Sequence, residues 1–249
     1  MATGLGSLFK KITTSAGRAQ RGPNMAAALR QLLKLGVPVG SVIDVGVQTG
    51  TDPLTEVLRD RHHLLIEPVE EWNDAIKQHY EAHGVQYSLL NIAASDADGE
   101  VKLKLKSVLP GEISSHAFMV DEEKGEGEYR SVPMRRLDSV IAEQALAGPF
   151  LLKVDVDGAE MRVIDGALDL LKSCSTVSLE VGVNNMVERL SRMRELGFEP
   201  FDIVDICYYD DRFVQVDVLF INLKYVKELN LEFYRDGFDA SKWKRYIED

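Results

Sequence analysis

"SVIDVGVQTG", residues 41–50, decides how the chain is read. Val42, Ile43 and Val45 form a short β-branched apolar run, long enough for a buried strand and too short for a helix. The run then gives way to Gly46 and Gly50. "TDPLTEVLRD" follows, a helix with Thr51 or Asp52 as cap and Pro53 in its first turn. A strand that passes through a glycine turn into a helix is where a doubly wound α/β sheet receives ligands. A dinucleotide loop needs G-x-G-x-x-G, because its backbone must approach a pyrophosphate. Here the loop is D-x-G-x-Q-x-G, with Gln48 between the glycines, so an NAD-dependent oxidoreductase is disfavoured.

Reading outward, "HHLLIEP" is a second strand stopped by Pro68. Glu67 at its tip lies 23 residues after Asp44. An acid about 20 residues beyond such a loop accepts ribose hydroxyls. "EEWNDAIKQHYEAHG" is a helix closed by Gly84, and "VQYSLLNIAAS" holds a third strand. Before the loop, Met25, Leu29, Leu32 and Leu33 recur at helical steps until Gly36 and Pro38 stop them. This alternation predicts a doubly wound, mostly parallel sheet. From Asp96 the regularity breaks. Val101, Leu103 and Leu105 alternate with Lys102, Lys104 and Lys106, the pattern of a strand with one wet face. "YRSVPMRRL" is its expected partner, so a strand pair is inserted. The polar, Gly-rich stretch between them, about 107–130, is read as a long loop acting as a lid. "DSVIAEQALAG" is a helix capped by Asp138.

"FLLKVDV" is the fourth core strand, followed by a helix with Met161, Ile164, Leu168 and Leu171 on a core-facing stripe. "TVSLEV" is the fifth. "FDIVDICYY" and "VQVDVLFINL" close the sheet around the polar turn "DDRF". Residues 1–23 are a basic, small-residue tail expected to be flexible. Leu5, Leu8, Phe9 and Ile12 would give it an amphipathic side if it became helical. Residues 24–249 make a single domain.

The 249 residues carry a net charge of −11. The segment before Asp44 holds no acid and +6, which leaves −17 on the rest. That balance excludes a general affinity for nucleic acid. Cys174 and Cys207 make no disulfide framework and fit a reducing cytoplasm. No apolar run approaches the roughly 18 residues of a membrane span.

"LLKVDVDGAE", residues 151–160, aims Asp155, Asp157 and Glu160 at the same sheet edge as Asp44 and Glu67. The loop at 44–50 is close to the D-x-G-x-G-x-G loop of S-adenosylmethionine-dependent methyltransferases. "SVIDVG…TG", "LLIEPVEEW", "NIAASDADGEVKL", "SVPMRRLDSVI" and "LLKVDVDGAEMRVIDGA" follow one another in the order of the FkbM family of methyltransferases. The last stretch is similar to that family's K-I-D-V-E-G-A-E. The resemblance covers roughly residues 41–222.

It implies a Rossmann-like, seven-stranded class I methyltransferase fold, S-adenosylmethionine as donor and a hydroxyl acceptor such as a sugar, glycan or polyol metabolite. It also assigns residues. Asp44, Gly46, Gln48, Gly50 and Glu67 match the cofactor loop and ribose acid, and Asn91, Ala93 and Ser95 the segment beside the adenine. Ser114 and Ser115 resemble a serine pair of the middle loop, placed with Asp157 and Tyr208 toward the acceptor. Asp157 stands where glutamate is usual. Val47 and Gln48 depart from the common Ala-Asn and motivate a second reading, a cofactor-binding module without turnover.

For catalysis, a base must reach the acceptor hydroxyl. Asp155 is the first candidate, with Glu160 orienting a neighbouring donor, and His116 the other candidate base. Asp155 and Glu180, at the ends of adjacent strands, would be the ligands if a divalent cation held a diol. A bland alternative remains, in which the acids only stabilise a helix start. Histidines 62, 63, 79 and 83 receive no role. Homo-oligomerisation is left open.

Overall fold

The computed structural model describes residues 24–107 and 116–231. The basic tail at 1–23, Ser114 and Ser115 therefore lie outside the described residues. The chain opens with α1 (Met25–Lys34). The Asn24 side chain caps it by accepting from the Ala27 N–H at 2.9 Å. Next come β1 (Ser41–Val45), α2 (Asp52–Val57), β2 (His62–Ile66), a 3₁₀ turn (Glu70–Trp72), α3 (Asn73–His83) and β3 (Tyr87–Leu90). Thr51 stands at the N-cap of α2, with proline at its start, and Gly84 ends α3 in the left-handed region.

An insertion follows: β4 (Ala93–Ala94), β5 (Gly99–Lys106), β6 (His116–Val120) and β7 (Glu128–Arg135). The second half holds α4 (Leu137–Ala142), β8 (Phe150–Val154), α5 (Glu160–Asp165), α6 (Leu168–Leu171) and β9 (Cys174–Gly182). It ends with α7 (Met186–Glu195), β10 (Phe198–Tyr209), β11 (Arg212–Asn222) and α8 (Leu223–Glu228).

Seven strands form one sheet in the order β10-β11-β9-β8-β1-β2-β3. β1 pairs in parallel with both β2 and β8, while β11 runs antiparallel to both neighbours. Burial of both faces explains the near-continuous apolar strands. One face packs Ile43, Val45, Leu152, Val154, Val177 and Leu179 against Val163, Ile164 and Met193 of α5 and α7. The other packs Val42, Leu151, Leu219 and Ile221 against Leu29 and Leu32 of α1. This is the doubly wound, mostly parallel sheet expected from the alternation of strands and helices, with the seven strands that the family resemblance implies.

Three local expectations change. The inserted pair is part of a four-stranded sheet, β4-β7-β5-β6. β6 lies inside the span read as a loop, where its residues pair with the lysine-bearing β5 from Lys102↔Val120 to Lys106↔His116. The third strand is split at Asn91. β3 stays in the main sheet, while β4 pairs with β7 in the second. The helix after "DGAE" breaks at Gly166, and Leu168 is 37% exposed instead of joining the core stripe.

Candidate active site

Two backbone contacts fix the glycine loop. The Gly46 N–H donates to Ile66 O at 3.0 Å, and the Asp155 N–H donates to Val45 O at 3.0 Å. Gly46 has φ 85°, and a Cβ there would stand 1.8 Å from the Asp155 carbonyl oxygen. Glycine is thus required twice, for the left-handed backbone and for the close approach to the β8 exit. Gly46→Ala is expected to cost on the order of 3 kcal/mol. A urea melt within about 0.5 kcal/mol of wild type would contradict this reading.

Asp44 is fully buried, and its Oδ2 accepts from the Thr51 hydroxyl at 2.7 Å. Its Oδ1 makes no hydrogen bond of good geometry, although the buried Tyr80 hydroxyl interacts with this carboxylate, and Lys153 Nζ is 3.6 Å away. Glu67 is also buried. Its Oε2 accepts from the Gln48 N–H and its Oε1 from the Val69 N–H, each at 2.9 Å. Burial pushes the Glu67 carboxyl upward, and the N–H groups of Gln48, Val69 and Val47 pull it back. Gln48 adopts φ 50°, which turns its N–H toward this acid.

Asn91 does not point into open space. It exchanges amide hydrogen bonds with Asn73 and donates to Glu67 O at 2.9 Å, bracing the turn behind the acid. Ala93 and Ser95 are buried where β4 meets the second sheet, with Ser95 Oγ donating to Asp96.

Across β1, β8, β9 and β11, one face carries a polar layer at its C-terminal edge. The register sets Asp44 beside Lys153, Lys153 beside Ser178, and Glu180 beside Asp217. Lys153 is 5% exposed, and its ammonium sits 3.0 Å from Asp155 Oδ2. Burial works against the Lys153 charge, yet Asp155, Asp44 and Asp217 together outweigh it and raise the pKa. Glu180 is pushed up to about 8 by burial and by the charges of Asp155 and Glu160, and it hydrogen-bonds Asp155. Its Oε2 also accepts from Gln215 Nε2 at 2.7 Å. Asp217 is pushed up to about 7 by burial and Asp155.

Asp155 is the member of this layer that meets solvent, with its side chain 41% exposed. It faces a cavity of about 330 Å³ whose walls include Gly46, Gly50, Lys153, Asp205 and Asp217. Asp44 and Asp155 therefore converge on the same lysine. Glu67 reaches the cavity only through the Gln48 backbone it holds.

The protonation of this layer couples to folding. From about pH 4 upward the unfolded chain releases the Asp217 and Glu180 protons, starting from ordinary values of 3.8 and 4.5, while the folded chain keeps them to about 7 and 8. Their contribution to stability is full below about pH 4, falls as pH rises, and levels off above about pH 8. Asp217→Asn is expected to flatten this slope between pH 5 and pH 8 in denaturant melts. An unchanged slope would reject the assignment.

The other acids of the signature have fixed partners. Glu160 is buried against Arg189, which bonds its Oε2, and the Gly158 N–H donates to its Oε1 at 3.4 Å. Arg189 also donates to Glu180 O at 2.6 Å. Both Glu160 oxygens are thus engaged, and the residue ties α5 to α7 beside the loop. Asp157 Oδ2 accepts from the Ala117 N–H at 2.9 Å, which docks the start of β6 on the β8 exit and brings His116 next to this acid. Tyr208 is exposed on β10, paired with Phe213 near the hairpin tip.

For Asp155 and Glu180 as cation ligands, the Lys153 ammonium already occupies the charge-compensating position. Asp205, Asp217, Gln215 and Arg189 were not anticipated. For Asp217 a signal exists, an acid in the middle of the apolar run "VQVDVLF".

Among the described residues, no helix is long and apolar enough to cross a membrane. A comparison with curated proteins found no match. Among solved structures, the chain is similar to magnesium protoporphyrin IX methyltransferase from Synechocystis PCC 6803 with bound SAM. The TM-score is 0.43 at 10% identity, over 88% of this chain and 92% of that one. It is also similar to a TehB-like SAM-dependent methyltransferase from Corynebacterium glutamicum, with TM-score 0.39 at 10% identity, over 87% and 95% of the two chains. A third is the Pyrococcus abyssi tRNA (uracil-54, C5)-methyltransferase in complex with S-adenosyl-L-homocysteine. There the TM-score is 0.42 at 13% identity, over 83% of this chain and 40% of that one. Likeness at this level adds nothing about chemistry. The family model described as the methyltransferase FkbM domain matches residues 44–200, from the end of β1 to the start of β10, and the chain therefore belongs to the FkbM methyltransferase family.

Proposed function

We propose that this chain is an S-adenosylmethionine-dependent O-methyltransferase acting on a hydroxyl of a sugar, glycan or similar polyol. The observation that carries the reading is Asp155, anchored by buried Lys153 and open to a cavity walled by the glycine loop. The residues fit the donor. The loop offers backbone without side chains at Gly46 and Gly50, and Glu67, by holding the Gln48 N–H, fixes the shape of that loop beside the cavity. When bound, S-adenosylmethionine supplies an electrophilic methyl group on a sulfonium.

The protein's share is alignment and proton removal. Asp155 accepts the hydroxyl proton, and Lys153 holds its carboxylate in place. Glu180 donates to Asp155 and keeps it oriented. Glu160 acts through Arg189 to set the loop between β8 and α5, as a positioning residue. Asp157 and His116 border the acceptor side through the docked start of β6. A rim rich in carboxylates accepts hydrogen bonds from hydroxyls and repels phosphates, which favours a neutral polyol over nucleic acid. With unpaired Cys174 and Cys207, the chain suits a reducing cytoplasm.

Calorimetry with S-adenosylhomocysteine, followed by a labelled-donor screen of sugars, glycans and polyols, tests this. Stoichiometric binding with methyl incorporation into one hydroxyl is expected. Binding without any transfer would favour the non-catalytic module, and absence of both heat and thermal shift would reject both readings.

A further inference from the structure

We propose that Asp52, His79 and His83 form a binding site for a divalent transition-metal ion, such as Zn²⁺, behind the glycine loop. Asp52 is the first residue of α2, and the histidines stand one turn apart near the end of α3. Residues four apart lie on one helix face. One ligand atom from each of the three lies within 4.8 Å of the others. His79 Nδ1 is 3.7 Å from Asp52 Oδ1. Two ligands of a tetrahedral zinc, each about 2.0–2.1 Å from the ion, stand about 3.4 Å apart, so small side-chain rotations suffice.

The hydrogen bonds are compatible with the tautomers that ligation needs. His83 Nδ1 donates to His79 O at 2.8 Å, which leaves the His83 Nε2 lone pair outward. The Thr55 hydroxyl, within reach of the Asp52 and Thr51 carbonyls, also lies 3.1 Å from His79 Nε2 and can accept from it. In that tautomer the His79 lone pair is on Nδ1, the nitrogen that faces Asp52. A ligand histidine oriented by a bond on its other nitrogen is the usual arrangement at metal sites. Two imidazoles and one carboxylate suit zinc, nickel or copper and do not suit magnesium or calcium. Asp52 and His83 are exposed, so an ion has a path in from solvent.

The position gives the ion a role. A Cβ on Gly50 would stand 2.4 Å from the His79 ring, so the exit of the glycine loop rests on this imidazole. An ion shared with Asp52 would tie that exit to α3. Asp52 also lines the cavity proposed for the donor, so the site borders it, and its test does not need activity.

The full chain, stripped with EDTA, is titrated with Co²⁺ and followed by visible absorption, then with Zn²⁺ by calorimetry and thermal shift. One equivalent bound and a raised melting temperature are expected. His83→Ala and Asp52→Asn should each lower affinity by at least the roughly 10–100-fold that loss of an outer partner costs. Both positions are exposed, and circular dichroism of the metal-free variants checks that they stay folded. Absence of stoichiometric binding, or equal affinity in His83→Ala, would overturn the site.

Discussion

Replacing Asp155 with asparagine is expected to lower methyl transfer by about 10²–10⁴-fold while leaving S-adenosylhomocysteine affinity within a few fold. The substitution keeps the shape and an oxygen for Lys153, which donates to Oδ2 at 3.0 Å in the wild type. It removes the basic lone pair that, on the proposed function, takes the acceptor proton. The loop is untouched, because the contacts of residue 155 with Val45 and Gly46 are made by backbone atoms. The variant has a second readout. After burial, the Asp155 charge is the largest cause raising Asp217 and Glu180. Asp155→Asn should therefore lower both pKa values, visible by NMR titration of the carboxyl carbons. Wild-type rates in single-turnover assays would remove Asp155 as the base.

Arg189→Met is expected to cost about 3–5 kcal/mol, because it strands the Glu160 carboxylate in the interior. Arg189 is 5% exposed and Glu160 1%. Burial already raises the Glu160 pKa, and Arg189 is the charged group that pulls it back. Without the guanidinium, Glu160 takes up a proton, so the loss should be smaller at pH 5 than at pH 7. The double variant Glu160→Leu/Arg189→Met should recover most of the stability, because apolar packing can replace a buried ion pair at little net cost. Denaturant melts of wild type, Glu160→Leu, Arg189→Met and the double variant at both pH values check this. A single-variant loss under about 1 kcal/mol, or a double variant as unstable as Arg189→Met, would deny the pair its role in holding α5 against α7.

Much of this architecture is legible in the sequence because local signals agree with the fold. The apolar runs at 41–45, 62–66 and 150–154 sit between helix caps and glycine turns, and each became a core strand. The same signals brought Asp44 and Asp155 to one edge. What stayed hidden depends on pairing between distant segments. "VQYSLLNIAAS" reads as one strand, but the Asn91 amide holds Asn73 and the Glu67 carbonyl and turns the chain toward the second sheet. β6 looks like part of a polar loop until β5 lies beside it.

Arg189 is indistinguishable in sequence from Arg192 and Arg194 on the same helix. Only the placement of α7 over Glu160 buries one and leaves the others on the surface. Asp217 belongs to the polar layer because β11 lies between β9 and β10, which no local pattern states.

The reversed direction of β11 has a consequence for how this protein can change. In the parallel strands, the chain reaches the cavity as it leaves the sheet, and the next residues must continue into a helix. β11 runs the other way: it starts from a two-residue turn at Asp210 and Asp211, both with positive φ, and meets the cavity at Asp217. Residues added at that turn would extend the hairpin beyond the cavity without moving any helix or altering the order of strands. That hairpin is therefore a place where the chain can be varied while the glycine loop and the helices behind it are left alone.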